Sequence, residues 1–464
     1  MGSKDVLIGR KYGGEAPTST IWTYRGTTKV NHVVELGNGH AADFSPIINN
    51  DRFNRLRYIK QLSLINRVFS GANHDRGEHC VGVFYLAQEI MDNNNVKLDA
   101  YGKLILCVDA LLHDIGHTAY SHVGEIVAID CGLDDHKKVG LRKIEEMGDV
   151  IENVAEEAGF GEDIVSHVVE DLVRQINEKG PIARLVSDKD RLDKWDYVGR
   201  DWHYCQAGTL PEIEVLRDAL YFGGKESAIK AKAQGALDGF IQTYTNNTVD
   251  IYKRKDIEAI EAFFARAIME ARLAGLNFEK LYEFEDRQLD DELCRYPVSR
   301  KLFEATRSSD VRGKWVSVIS LRPKKYGWAA TKNGGCHVNV EEMSDEEIAG
   351  INGHVNLPKL FALESRIRQE TSLDPEDFVI TYTPQVDRLE IHKSNLLFIE
   401  DGKPVFRNVF DLEEGFAELM RSRLKQCYSI EFVASRDKAG IVTEKIKSEG
   451  GAKKVLMEAL EKES

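Results

Sequence analysis

Proline is scarce, at 10 of 464 residues, and no Pro/Ser/Gly-rich tract interrupts the chain. That excludes small domains strung on flexible linkers and favours compact packing throughout, and no internal repeat is visible. Apolar runs are short: none approaches the roughly 20 residues of a membrane span. The opening MGSKDVLIGRK lacks the apolar stretch of a secretory signal, and Arg10, Lys11 and Arg25 are interleaved with Asp5 and Glu15, which disfavours an organellar transit peptide. Cysteines number seven, spread over Cys80, Cys107, Cys131, Cys205, Cys294, Cys336 and Cys427. An odd count without any C-x-x-C excludes a disulfide framework and a zinc ribbon, and points to a reducing, intracellular and most simply cytoplasmic setting. A basic surplus is missing too. The net charge of −14 disfavours a dedicated nucleic-acid binder, which needs Lys and Arg in excess to neutralise phosphates.

What the chain does have is a dense polar motif behind an apolar helix. LLHDIGHTAYSH, from Leu111 to His122, carries three of the 13 histidines and an aspartate directly after KLILCVDA. A carboxylate or imidazolium destined for a core needs a hydrogen bond, an opposite charge or a metal to compensate its lost hydration.

The surrounding pattern is organised in three blocks. Residues 5–45 alternate in short pieces (TIWTYRG, NHVVELGNGH) and predict strands or hairpins. From about Phe53 the period turns helical, with Phe53, Leu56, Tyr58, Ile59, Leu62 and Ile65 in DRFNRLRYIKQLSLINRVF. Helical patterns continue through EHCVGVFYLAQEIMD, HKKVGLRKIEEM, EDIVSHVVEDLVRQI, residues 253–288 and residues 355–370. EVLRDALYFGGKESAIKA predicts a hairpin at Gly223-Gly224; Lys225 completes a Gly-Gly-Lys, but the rest of a phosphate loop is absent. Strand patterns return in KWVSVISLR, DFVITYTP and LEIHKSNLLFIEDGKPVF. The expected fold is mainly α: a β-rich segment at 1–45, a helical core at 46–312, and an α+β lobe with a helical tail at 313–464.

His113 and Asp114 are neighbours, so on a helix they project about 100° apart, and other helices must complete any shell around one ion. His79 opens the preceding apolar helix, and Asp193 lies in DRLDKWDYVGRD. Two imidazoles and two carboxylates suit a divalent transition metal or Mg²⁺. Taken singly, each has a plainer reading as a hydrogen-bonded core residue or part of a charged face. H-x-x-x-H at His113 and His117 also lacks the glutamate of a zincin. The ordered conjunction H, HD, D on separate helices is what carries weight.

With FNRLRYIKQL, VFSGANHDRGEHCVGVFYLA, LLHDIGHTAYSH and DKWDYVGRD, the chain resembles the HD-domain deoxynucleoside triphosphate triphosphohydrolases, both the SAM-and-HD and the bacterial dGTPase types. The likeness is dense from Asp51 to His203 and diffuse beyond. With only the residues before Asp51 preceding it, no SAM domain is expected. The resemblance implies a helical HD core and one divalent metal ion (Fe, Mn, Zn, Mg or Co) held by His79, His113, Asp114 and Asp193, with further Mg²⁺ arriving on the nucleotide. It also implies cleavage of a dNTP to deoxynucleoside and inorganic triphosphate. His117 and His122 match phosphate-facing histidines, and Glu125 and His136 match groups that act at the scissile bond. Arg76, Lys194 and Tyr197 match triphosphate contacts, Gln61 and Asp201 match contacts to the sugar 3′-hydroxyl, and Leu62 and Tyr252 match positions that pack or gate the sugar. A homo-oligomer, dimer or tetramer, and a regulatory nucleotide are further implications.

The departures are local. Tyr244 and Thr248 stand where the family carries an arginine and a histidine, so Lys253 or Arg254 must substitute or the phosphate chain is gripped differently. Two other readings compete: an HD phosphohydrolase for nucleoside monophosphates or cyclic nucleotides, and an RNA or single-stranded DNA binder using Arg52, Arg55, Arg57 and Lys60.

Asn49 and Asn54 occupy positions where the SAM-containing relatives read an activating guanine with an acid and a glutamine, while Arg57 is retained. Replacing an ionised acceptor pair by an amide forfeits about 1.5–3 kcal/mol, roughly tenfold to a hundredfold in affinity. The expected outcome is hydrolysis of a single pure dNTP without GTP. An absolute requirement for micromolar GTP, measured by product release, would overturn this.

Overall fold

The computed structural model describes residues 2–461 except 189, 206–209, 308–313, 324–331, 334–335, 353, 384–394, 401–402, 409–410, 412–413 and 426. The expected boundary at 312/313 and residues 389–394 of the predicted strand thus lie outside the described residues. The fold is mainly helical, with strands at the N-terminus and in the C-terminal lobe. Among the described residues no helix is long and apolar enough to cross a membrane.

At the N-terminus two hairpins form as expected, Thr18–Thr23 with Gly26–Asn31 and Val33–Gly37 with His40–Asp43. The strand reading of the residues before them is corrected: Ser3–Tyr12 is an α-helix, with Asp5 in its first turn, Arg10 and Lys11 in its last and a left-handed Gly13 ending it. Charges of those signs complement the helix dipole. Tertiary anchors do the rest, since Lys11 Nζ lies 3.0 Å from Asp43 and 2.6 Å from Glu157.

A second correction concerns 51–69. The apolar spacing there does not make one helix. Asp51–Arg55 is a single turn capped by Asn50, Leu56–Tyr58 and Ile65–Arg67 are 3₁₀ turns, and Ser63 has φ 50°. The backbone between them is claimed by partners elsewhere. Arg76 N donates to Ile59 O (3.0 Å), Gln61 N to His74 O (3.1 Å), and Lys60 N to Asp286 Oδ2 (2.9 Å). Because those groups are satisfied by tertiary contacts, helical bonds are not needed, and Gln61 and Leu62 sit on irregular backbone.

Of the central helices, Arg76–Met91 packs on both Ala100–Leu112 and Leu192–Cys205. Asp75 and Asp99 cap the first two, accepting from Glu78 N (2.8 Å) and Gly102 N (2.7 Å). Both are buried on nearly every side, which is why their apolar residues run continuously instead of on one stripe. The next helices, Ser121–Asp130 and His136–Glu145, follow a turn in which Tyr120 and Ser121 both have left-handed backbone, φ 55° and 52°. Such a pair persists only when its surroundings over-determine it. Here Asp286 Oδ1 accepts from Tyr120 N (2.6 Å), and Ser121 Oγ donates to Lys60 O (2.6 Å).

The predicted hairpin Leu220–Phe222/Ser227–Lys230 is present, and strand Asn395–Glu400 adds to it in parallel through Leu396 and Ile229. Chain from beyond residue 313 therefore completes a sheet of the helical core. A second sheet, ordered Asn339–Met343, Trp315–Pro323, Ser429–Ser435, Phe378–Thr383, forms the body of the lobe. Lobe and core are joined by a buried pair: Arg266 donates to Glu364 through Nε (2.8 Å) and Nη2 (2.6 Å).

Gly116 is required by close approach. A Cβ there would lie 2.0 Å from His136 O and 2.4 Å from Gly140 N, backbone atoms that cannot rotate away. Gly116→Ala is expected to destabilise the protein by about 1–3 kcal/mol, the usual cost of overpacking, read as a lower urea midpoint at unchanged m-value.

Candidate active site

Four side chains from three helices converge. His79 lies in the first turn of Arg76–Met91, His113 caps the C-terminus of Ala100–Leu112 with Asp114 following, and Asp193 opens Leu192–Cys205. His79 Nε2 is 3.2 Å from His113 Nε2, 3.2 Å from Asp193 Oδ1 and 3.7 Å from Asp114 Oδ2. His113 Nε2 is 3.7 Å from Asp114 Oδ1 and 3.8 Å from Asp193 Oδ1. Burial opposes ionisation of both carboxyls, yet Arg76 and His113 beside Asp114, and His79 and Lys194 beside Asp193, hold them well below the usual carboxylate range. Burial alone would lower His79; Asp193 and Asp196 outweigh it and lift the imidazole to about 9. His79, His113 and Asp193 bring one ligand atom each close together, and with Asp114 against both imidazoles they form a mixed N/O donor set that could hold a divalent ion, which would displace the imidazole proton. Cys80 also lies near His113 and Asp114, and burial raises its thiol pKa.

The far nitrogen of His79 is engaged as well. Its Nδ1 lies 2.8 Å from Asp196 Oδ2, and Arg200 clamps Asp196 with two bonds of 2.8 Å while its Nη1 lies 2.8 Å from Glu78. Neither Asp196 nor Arg200 is among the residues that the sequence motif singles out. Their signal was the spacing 193, 196, 200, one face of a helix. Gly82 makes room, since a Cβ there would lie 2.1 Å from Asp196 Oδ1.

Beside this cluster lies a second one. The His117 ring stacks on His136 (centroids 4.0 Å apart, 11° between planes) and meets His122 edge-on at 5.1 Å. Glu125 binds His136 Nδ1, accepts from His136 N (3.0 Å) and lies 3.2 Å from His122 Nδ1. Burial would raise the Glu125 carboxyl, but the two histidines hold it far below its ordinary range. Burial and the Arg76 guanidinium push His117 down, so it is neutral. His117 Nε2 is 3.4 Å from Asp114 Oδ1, which links the two clusters.

The remaining predicted residues surround these groups. Arg76 reaches Asp114 through Nη1 and Ser121 Oγ through Nε (2.8 Å), leaving Nη2 buried without a partner among the described residues. Gln61 Oε1 and His117 Nδ1 are buried and unpartnered in the same way. Such orphans in a native interior call for a ligand or water. Lys194 is buried, its Nζ 4.0 Å from Asp193 Oδ2, and the Tyr197 ring is 6.4 Å from that of His79. Leu62 belongs to a small apolar cluster with Ile65, Ala72, Cys205, Ile251 and Ile257, against which Tyr252 packs. Asp201, fully buried, takes the Tyr252 hydroxyl at 2.5 Å and lies 2.8 Å from His74 Nε2.

The departures now have positions. Thr248 Oγ1 donates back to Tyr244 O (2.9 Å), Arg254 is clamped by Asp256 (2.8 Å), and Lys253 lines a separate cavity with Glu258 and Glu261. The basic row does not form one open cationic face. Arg55 is buried and donates to the carbonyls of His117, Glu283 and Phe284, while Arg52 pairs with Glu146 at 2.6 Å.

Comparison with known proteins gives the following likenesses. The HD domain family profile matches residues 76–195. An uncharacterized protein of Methanocaldococcus jannaschii is 26% identical over 246 residues, 52% of this chain and 49% of that protein. The deoxynucleoside triphosphate triphosphohydrolase SAMHD1 of Gallus gallus is 32% identical over 188 residues, 34% of this chain and 31% of the relative. SAMHD1 of Danio rerio is 28% identical over 377 residues, 72% and 59% respectively. The matched region thus spans half or less of the first of these curated relatives. A crystal structure of a phosphohydrolase from Bacteroides thetaiotaomicron has TM-score 0.62 at 17% identity, covering 90% of this chain and 100% of that one. One of a hypothetical protein from Aquifex aeolicus has TM-score 0.62 at 18% identity, covering 92% and 99%. At such identities the likeness is one of fold.

If Asp196 orients His79, Asp196→Asn should weaken Mn²⁺ binding about 10- to 100-fold, the usual cost of losing a partner behind a ligand, with the circular dichroism spectrum retained. Unchanged affinity in a calorimetric titration would remove that role.

Proposed function

We infer from its place among HD-domain phosphohydrolases that this chain is a metal-dependent enzyme cleaving dNTPs to deoxynucleoside and inorganic triphosphate. The observation that carries the reading is the convergence of Asp114 and Asp193 on the His79–His113 pair, each carboxylate 3.2–3.8 Å from both imidazoles, beside a histidine–carboxylate cluster. Those four would hold one divalent ion, which when bound polarises the α-phosphate and supplies hydroxide at neutral pH.

The chain's own residues then have definite tasks. Arg76, through its spare Nη2, and Lys194 and Tyr197 face the phosphate oxygens, and the two cations offset their charge. His122 and the neutral His117 hydrogen-bond the phosphate chain. As water oxygen bonds to the α-phosphorus and the bond to O5′ breaks, His136, oriented by ionised Glu125, delivers a proton to O5′. Gln61 Oε1 accepts from the sugar 3′-hydroxyl. Leu62 and Tyr252 crowd the 2′ position, and Asp201 fixes the Tyr252 hydroxyl. A homo-oligomer, dimer or tetramer, completes the reading.

A second reading has one observation in its favour: with Thr248 turned onto Tyr244 O and Arg254 held by Asp256, cations for the distal phosphates are few. An HD hydrolase for monophosphates or cyclic nucleotides would need fewer. Products separate the two. Incubation with each dNTP and several metals, resolved by ion exchange, is expected to yield inorganic tripolyphosphate; release of orthophosphate alone, or no dNTP turnover, would favour the second.

His113→Ala and Asp114→Ala are expected to abolish turnover with the fold retained, and full activity of an EDTA-dialysed sample would contradict the metal requirement. His136→Ala should lower kcat far more than it raises KM, because a general acid acts in the transition state. A dNTP should outcompete its rNTP; equal rates would remove the role of Leu62 and Tyr252.

A further inference from the structure

On the lobe side of the helix Lys255–Leu273 lies a cavity of about 300 Å³ that the proposed reaction does not use. One wall is apolar: Val123 and Ile126 from the helix that bears His122 and Glu125, and Leu357 and Leu360 from the lobe helix Leu357–Thr371. The other wall is polar, built on one helix face with Asp130, Lys253 and Asn356 beside it. Glu258, Glu261, Ala262 and Ala265 follow the i, i+3, i+4, i+7 pattern, with Arg266 next.

Two observations mark it as more than a gap between lobe and core. Arg266 and Thr381 are 1% and 3% exposed, both line the cavity, and Arg266 Nη1 and Thr381 Oγ1 have no hydrogen-bond partner among the described residues. Glu364 already neutralises the Arg266 charge through Nε and Nη2, so what Nη1 offers is a directed donor. About 7.5 Å further toward the helix N-terminus, five residues at 1.5 Å each, Glu261 lines the same cavity, with Glu258 one turn beyond. Burial lifts both carboxyls to about 7, with Lys253 only partly opposing it; a cation placed between them would be attracted and would return them to the ionised state. A dry apolar cavity has no use for either end, and buried donors left unmade cost stability.

We propose that this cavity is a second, non-catalytic binding site for a small zwitterion: an ammonium group against Glu258 and Glu261, an acceptor on Arg266 Nη1 and the Thr381 hydroxyl, and an aliphatic body along Val123, Ile126, Leu357 and Leu360. The site stands independently of the phosphohydrolase reading, since none of its contacts belongs to the metal or histidine clusters.

The test is a calorimetric titration of the full chain with three probes of one length: 6-aminohexanoate, hexylamine and hexanoate. The zwitterion is expected to bind, and each single-ended probe to bind about tenfold more weakly or worse, the value of one lost charged hydrogen bond. Glu261→Gln and Thr381→Val should each weaken the zwitterion by a similar factor. Both change a side chain without shortening it, and neither touches the Arg266–Glu364 pair; an unchanged melting temperature without probe verifies their fold. Absence of 6-aminohexanoate binding at millimolar concentration, equal affinity for hexylamine, or wild-type affinity in both variants would each overturn the proposal. Loss of turnover leaves this result untouched, so the two readings fail separately.

Discussion

Burying Asp114 is the constraint from which most of the centre follows. A carboxylate withdrawn from water costs several kcal/mol unless it is surrounded by donors and positive charge, and here Arg76, His113 and His117 supply both. Arg76 can do so because it begins a helix whose N-terminal amides Asp75 caps, which places its guanidinium between Asp114 and Ser121. The same enclosure keeps His117 neutral and leaves Arg76 Nη2 unspent. A centre arranged for its own compensation thus retains free polar atoms for something that enters from outside.

Close backbone packing is the second condition. The stack of His117 on His136 needs the chain at Gly116 to pass against His136 O and Gly140 N, and the Asp196–Arg200 clamp needs Gly82 opposite it. The left-handed pair Tyr120–Ser121 belongs to the same device. Its strain is held by Asp286, whose two oxygens accept from Tyr120 N and Lys60 N, so the Gln61 segment and the histidine turn are tied to one carboxylate. The two sides of the candidate site are thereby placed in fixed relation by backbone groups instead of by mobile side chains.

The metal-type cluster was legible in the sequence because its residues fall in short stretches of distinctive type: H, HD and D in order, each beside a strongly apolar helix. Gln61, Leu62 and Asp201, proposed above to meet the sugar, were legible only through resemblance. The helix at Ser3–Tyr12 and the irregular path through 51–69 were misread because local apolar spacing carries no information about partners. Lys60, Gln61 and Arg76 find theirs across the fold, and a segment whose backbone bonds are made at a distance has no need of helical ones.

What the sequence by itself determined is therefore the helical character of the core, the set of ionisable groups brought to it, and the strands that bound it. Tertiary structure alone decided which of those groups are charged. The protonation of His79, the neutrality of His117, the engagement of Asp196 with Arg200 and the orphaned donors of Arg266 and Thr381 all depend on burial and on neighbours distant in the chain. Composition and periodicity are local, whereas desolvation and Coulomb interaction act through space, and only the folded arrangement sets their balance.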